Sequence, residues 1–164
     1  MTNYICINGN KTELTEEQLK QLGIEIPKAN PFARKNKNTK YFSIVQDGTV
    51  DWHYDNMDSF DKGCFDAANY CTDYNMIQHR ALHETLNRLL WRYSMEHDGD
   101  KIDWKCVSQT KWYIYYNINS KTWSAGVSHS SLFLDTYFYT EAIARNAIEE
   151  IIKPFMAAHP EFKF

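Results

Sequence analysis

Thr39-Lys40-Tyr41-Phe42-Ser43-Ile44-Val45-Gln46-Asp47-Gly48-Thr49-Val50-Asp51-Trp52-His53-Tyr54 decides how the chain folds. Aromatic and β-branched residues crowd both halves, and Asp47-Gly48 divides them. That pattern predicts a strand over 41–45, a tight turn, and a returning strand over 49–54. The stretch is echoed downstream. Thr110-Lys111-Trp112 repeats Thr39-Lys40-Tyr41 at a displacement of 71 positions, and Trp123 repeats Trp52 at the same displacement. Asn69-Tyr70-Cys71-Thr72 lines up with Tyr137-Phe138-Tyr139-Thr140 at a displacement of 68. Each copy reads as two strands, a third aromatic strand, and a helix opening at a threonine.

Two such copies each leave an apolar sheet face beneath a helix. Packing the copies together, helices on one side, gives an α+β structure built from two antiparallel β-meander plus helix units. The expected organisation is a hairpin and short helix over 1–27, a basic linker over 28–40, and units over 41–100 and 101–164. At 164 residues these suit one compact domain that needs no disulfide or metal to hold it.

The local signals fill in this frame. Asn8-Gly9 is a short-hairpin turn between Tyr4 to Cys6 and Lys11 to Leu14. Thr15 and Gln18 form a capping box for a helix that Gly23 ends and that Pro27 and Pro31 keep from resuming. Phe65 to Tyr70 reads as the third strand of the first unit, reached through an acidic loop. Thr72 then caps a long helix whose apolar line is Leu82, Leu86, Leu89, Leu90 and Tyr93. In the second unit, 111–117, 122–127 and 132–139 read as strands. Thr140 caps the last helix, with Ile143 or Ala144, then Ala147, Ile148, Ile151 and Phe155 on its buried face. Lys153-Pro154 kinks or ends it.

Composition excludes several classes. The 43% hydrophobic content holds no long apolar run for a membrane span. Cys6, Cys64, Cys71 and Cys106 make no CxxC pair, which points to reduced thiols in a cytosolic setting. No phosphate-binding glycine loop, dinucleotide fingerprint or nucleophile elbow is present, so no enzymatic activity and no cofactor is expected. His79 and His83 share a helix face, but His-Arg-Ala-Leu-His-Glu is not the His-Glu-x-x-His of a zinc protease. Together with Cys64 and Cys71 they are read as structural, with no metal expected. Asp55 to Asp61 lacks the glycine and terminal glutamate of a calcium loop.

Charge is what remains. The net charge of −3 conceals a +5 stretch over 28–46 and a −6 stretch over 47–78. The acidic stretch carries Asp47, Asp51, Asp55, Asp58, Asp61, Asp66 and Asp73 against Lys62 alone. Asp51, Asp55, Asp58 and Asp61 are therefore expected to be solvent-exposed and to contact a basic partner, either a protein or a nucleoprotein complex. The alternative places nucleic-acid or nucleotide binding on Arg34, Lys35, Lys37 and Lys40 with exposed aromatics.

The order of these pieces also resembles a group of small proteins encoded by phages and prophages of Gram-positive gut-type bacteria. The matching residues are Ile7-Asn8-Gly9, Glu13 to Gln18, Asn30-Pro31-Phe32 with Arg34, Tyr41-Phe42 with Ile44, Asn69-Tyr70 with Thr72, Lys111 to Tyr116, and Tyr137 to Glu141. The resemblance implies a non-enzymatic, anti-CRISPR-like inhibitor that binds a host nucleic-acid-handling protein.

Overall fold

Thr15 caps as its spacing requires. Its Oγ1 accepts the Gln18 N–H at 3.3 Å, and its own N–H donates to Gln18 Oε1 at 2.9 Å. The helix so opened, α1 (Glu16–Gln21), follows an antiparallel hairpin of β1 (Tyr4–Ile7) and β2 (Asn10–Glu13). Ile7 lies opposite Asn10, so a two-residue connection joins the strands; Asn8 and Gly9 themselves lie outside the described residues. Gly23, at φ +69°, donates to Lys20 O and closes the helix. The computed structural model describes residues 4–7, 10–23, 30–129 and 136–162; Pro27 and 132–135 are therefore not among them.

The chain divides into two compact units, Met1–Ala33 and Arg34–Phe164, so the boundary falls inside the expected basic linker. The larger unit is α+β. Its first hairpin pairs β3 (Lys40–Ile44) with β4 (Val50–Tyr54), Phe42 opposite Trp52. Gly48 in the turn has φ +90°, and a Cβ there would sit 2.5 Å from Thr85 Oγ1. Backbone freedom and close approach both demand glycine.

The acidic loop expected after this hairpin is a helix, α2 (Ser59–Asp66). Asp58 and Asp61 form its capping box, an aspartate standing where glutamate is commoner. Phe65 accordingly lies in a helix, and no third strand runs to Tyr70. Two smaller devices cover that edge of β3 instead. The Asn69 amide accepts from Ile44 N at 2.8 Å and donates to Ile44 O at 2.9 Å, imitating a strand backbone. Cys71 makes one antiparallel bridge to Phe42.

Helix α3 (Tyr74–Glu96) begins one residue later than expected. Asp73, not Thr72, accepts the N–H groups of Asn75 and Met76. Its buried face is Ile77, Ala81, Leu82, Leu86, Leu90 and Tyr93, so the apolar line is as read and extends a turn further. The second sheet has the order β6-β5-β7, with β5 (Lys111–Asn117), β6 (Thr122–Ser128) and β7 (Tyr137–Phe138) antiparallel. Thr140 Oγ1 accepts from Ile143 N and opens α4 (Glu141–Ala147).

Lys153-Pro154 starts a helix rather than ending one. A π-helical turn, Ile148–Ile152, precedes α5 (Lys153–Ala158), in whose first turn Pro154 lies. Proline has no N–H for the i−4 carbonyl, and the wider π turn leaves room for its ring. The core joins the α3 face to Phe138, Ala144, Ala147, Ile148, Ile152, Phe155 and Phe162, with Trp112, Ile114 and Trp123 packed on from the sheet.

Element order repeats between the two hairpins, but register does not. Tyr41 faces His53, whereas Trp112 faces Val127; Trp52 faces Phe42, whereas Trp123 faces Tyr116. Lys40 is exposed, whereas Lys111 is buried with its ammonium on Cys106 O and Gln109 O. The displacement of 71 positions thus marks similar composition, not equivalent positions.

Truncating Leu86 to alanine opens a cavity where α3 meets α4 and should cost about 2–5 kcal/mol in urea denaturation. Arg92→Ala on the exposed face should cost less than about 0.5 kcal/mol.

Candidate functional site

Arg34, at the start of the larger unit, reaches Asp55 just beyond β4. Its Nε donates to Oδ2 at 3.0 Å and its Nη2 to Oδ1 at 3.1 Å, a bidentate pair. Asp55 is wholly buried and also accepts the Met57 N–H at 2.9 Å. The Arg34 guanidinium holds the Asp55 carboxyl below its ordinary range, and the carboxylate raises Arg34 in return. Thr39 O and Asn38 N bond the backbone of Asp55, extending the hairpin one step beyond Lys40.

A second buried carboxylate lies under β3. Tyr41 donates its hydroxyl to Asp61 Oδ1 at 2.8 Å, and Asp61 Oδ2 accepts from Asn56 N at 2.7 Å. Tyr41 stacks on Tyr70 at 4.2 Å, and the Tyr70 hydroxyl accepts from Lys35 N at 3.4 Å. Burial pushes the Tyr41 phenol well up, and hydrogen bonds to Asp61 and Cys64 add to it; burial likewise raises Tyr70. His53 packs against Tyr41 and Phe60, with a ring nitrogen 3.0 Å from Ser43 Oγ. The arrangement is a closed, satisfied network.

The four aspartates expected on the surface therefore part company. Asp51 and Asp58 are exposed, while Asp55 and Asp61 are buried and serve the scaffold. The sign of the segment was readable, but its exposure depended on which carboxylates found a guanidinium, a phenol or a helix start. Asp58 caps α2, Asp73 caps α3, Asp66 pairs with Lys62, and Asp47 accepts from both the N–H and the hydroxyl of Thr49, which lowers it. Of the basic set, Arg34 is committed to Asp55, whereas Lys37 and Lys40 are exposed and Lys35 is half-buried.

The histidine pair is aromatic packing. The His79 and His83 rings lie 4.7 Å apart, and Phe162 touches both. Cys71 is buried with its thiol on Asp73 O, and Cys64 stands beside Tyr41. Among the described residues no three His, Cys, Asp or Glu side chains converge on a common point. None of the described helices is long and apolar enough to cross a membrane.

Between β3, its turn and α2 lies an open groove of about 520 Å³. Ile44, Val45, Phe60 and Cys64 line it, with Asp47 at one end. Phe60 is 56% exposed. Asp51 stands opposite the lining residue Ser43 in the hairpin, and its Oδ1 accepts the Trp52 N–H at 2.8 Å. Phe60 escaped the sequence reading because α2 did; the Asp58-Ser59-Phe60-Asp61 capping box is the signal that would have found both. A smaller cleft of about 230 Å³ lies between α3 and β5, lined by His83, Asn87, Tyr116 and Trp123 among others.

No family model matches the chain, and no curated protein or solved structure matches it.

Tyr41→Phe leaves Asp61 Oδ1 without its phenolic donor and should destabilise the fold by about 1–3 kcal/mol in chemical denaturation. Asp55 supplies a pH test. Because its folded-state pKa lies below the unfolded value near 3.8, its contribution is present at neutral pH and is lost as pH falls through the folded pKa. Asp55→Asn should melt lower than the native chain at pH 7, and the gap should close as the pH falls below about 4.

Proposed function

We propose that the chain is a non-enzymatic binding protein that inhibits a host nucleic-acid-handling target by protein–protein contact. The groove between β3 and α2 seats a basic segment of that target carrying one apolar side chain. The observation that supports this most directly is an exposed Phe60 in a groove whose lining includes Asp47, with the exposed Asp51 across the hairpin from Ser43. An aromatic ring left in water within a concavity is the usual form of an interface anchor. The carboxylates beside it favour lysine or arginine and speed encounter. Arg88, which holds Gln46 O at 3.3 Å and lies near Asp47, tempers the field at the turn end and leaves Asp51 the stronger attraction.

The inhibitory role and the kind of target rest on the resemblance to phage-encoded proteins, with which a binding surface lacking a catalytic constellation is consistent. Asp55 and Asp61 have no direct contact in this reading; they hold the hairpin and α2 at the spacing that makes the groove.

The test begins with capture from a lysate of a Gram-positive host and continues with the purified captured protein. Asp51→Lys should slow its association several-fold, and raising salt from 50 to 300 mM should do the same to the native chain. Phe60→Ala should speed dissociation at least ten-fold while leaving the melting temperature nearly unchanged. The captured protein's activity on nucleic acid should fall as the native chain is added. Wild-type kinetics in both variants, or undiminished activity of the saturated target, would sink the reading.

A further inference from the structure

The opposite face of the same hairpin carries a different chemistry. Strand alternation sends Tyr41 and Ser43 inward, so Lys40 and Phe42, with their partners Tyr54 and Trp52, share the outer face. Trp52 is 54% exposed and Tyr54 52%, and their rings meet edge to face at 5.6 Å. Tyr74, 49% exposed at the start of α3, extends the surface through Phe42 at 5.3 Å. Lys40 Nζ lies 5.1 Å from the Trp52 ring and 5.2 Å from that of Phe42.

We propose that this outer face binds single-stranded nucleic acid, stacking bases on Trp52 and Tyr54 while Lys37 and Lys40 take the phosphates. Charge complementarity decides the occupant. Among the described residues neither lysine reaches a carboxylate, Asp55 is buried and neutralised by Arg34, and Asp51, opposite Ser43, turns its carboxylate back onto the Trp52 N–H at 2.8 Å. What remains is cationic and aromatic, which suits an anionic chain of planar rings and repels a basic protein segment. Trp52 and Tyr54 leave the strand two residues, about 7 Å, apart and their rings converge to 5.6 Å at 80°, so the bases they take are splayed, not stacked on one another. In the free protein Lys40 lies over Trp52 and Phe42 by cation–π attraction; moving it onto a phosphate exchanges that attraction for a charge-assisted contact and uncovers the Trp52 ring. Sequence preference is weak, because every base has a π face.

The proposal does not depend on the groove, and its test uses no captured partner. Fluorescence anisotropy with labelled 12-residue oligo-dT, oligo-rU and a duplex of equal length should show the single strands binding more tightly than the duplex at 50 mM salt. The log–log salt slope should be about −1.4, as expected for two lysine contacts to a single strand. Trp52→Ala and Tyr54→Ala should each weaken binding about ten-fold. Lys37→Glu with Lys40→Glu should abolish it. Trp91→Ala, which removes a 61% exposed ring from α3, is the control and should leave binding unchanged. Each variant is checked for an unaltered melting temperature. No binding at 50 µM, equal binding of duplex, or equal losses in Trp52→Ala and Trp91→Ala overturns the proposal. So does loss of the lysate-captured protein from Trp52→Ala while no oligonucleotide binds, since the face is then a protein contact.

Discussion

Asp55 sets the terms for the larger unit. A carboxylate with no exposed surface is tolerable only if its charge is met, and Arg34 meets it with two parallel hydrogen bonds. The pair joins the end of β4 to the segment that enters β3, so both strands start in register, with Thr39 O and Asn38 N completing the ladder around Asp55. A two-stranded hairpin is marginal alone. This one is held by the ion pair at one end, by Gly48 against Thr85 at the other, and by Tyr41 and Asp61 beneath. The pair also redistributes charge, taking one cation from the basic stretch and one anion from the acidic stretch.

What the sequence made legible was whatever local chemistry dictates alone. The Thr15 capping box, the Gly23 stop, both central hairpins, the Thr140 cap and the Leu82 to Tyr93 line depend on neighbours within a few residues. They stand as read. The failures came where a side chain replaced something else. Asp61 stood in for the glutamate of a capping box, so α2 looked like a loop. Asn69 stood in for a strand backbone, so Tyr70 looked like part of a strand. The apparent duplication failed for a related reason: aromatic content recurs, but register is set by turn length, and the strands of the second hairpin are longer.

Clustered aspartates invite a reading as an interaction surface, and here most are construction. They accept helix N-termini at 58 and 73, a turn at 47, a phenol at 61 and a guanidinium at 55. Aspartate suits these positions because its short side chain bonds nearby backbone N–H groups without lengthening the chain. The candidate site could be found only after those roles were subtracted, leaving Phe60 with its groove and Asp51, which stays exposed while its carboxylate accepts the Trp52 N–H next to it.

The same subtraction explains why one small hairpin offers two unlike faces. Its inner face is fully employed: Tyr41 and Ser43 are buried, and the network leaves no buried polar side-chain atom among the described residues without a partner. Much of the stability is secured there; on the outer face Phe42 packs against Tyr74 of α3, but a tryptophan more than half in water gains little hydrophobic stabilisation. Polar residues would serve the fold equally well at 52 and 54. Placing large rings beside a lysine on such a surface raises the risk of self-association without strengthening the fold, which is the physical ground for looking to binding, not to packing, for their presence. Groove and platform share one rigid support but take different ligands, so Phe60→Ala should leave oligonucleotide binding unchanged and Trp52→Ala should leave binding of the captured protein unchanged, whereas Tyr41→Phe, which loosens that support, should weaken both.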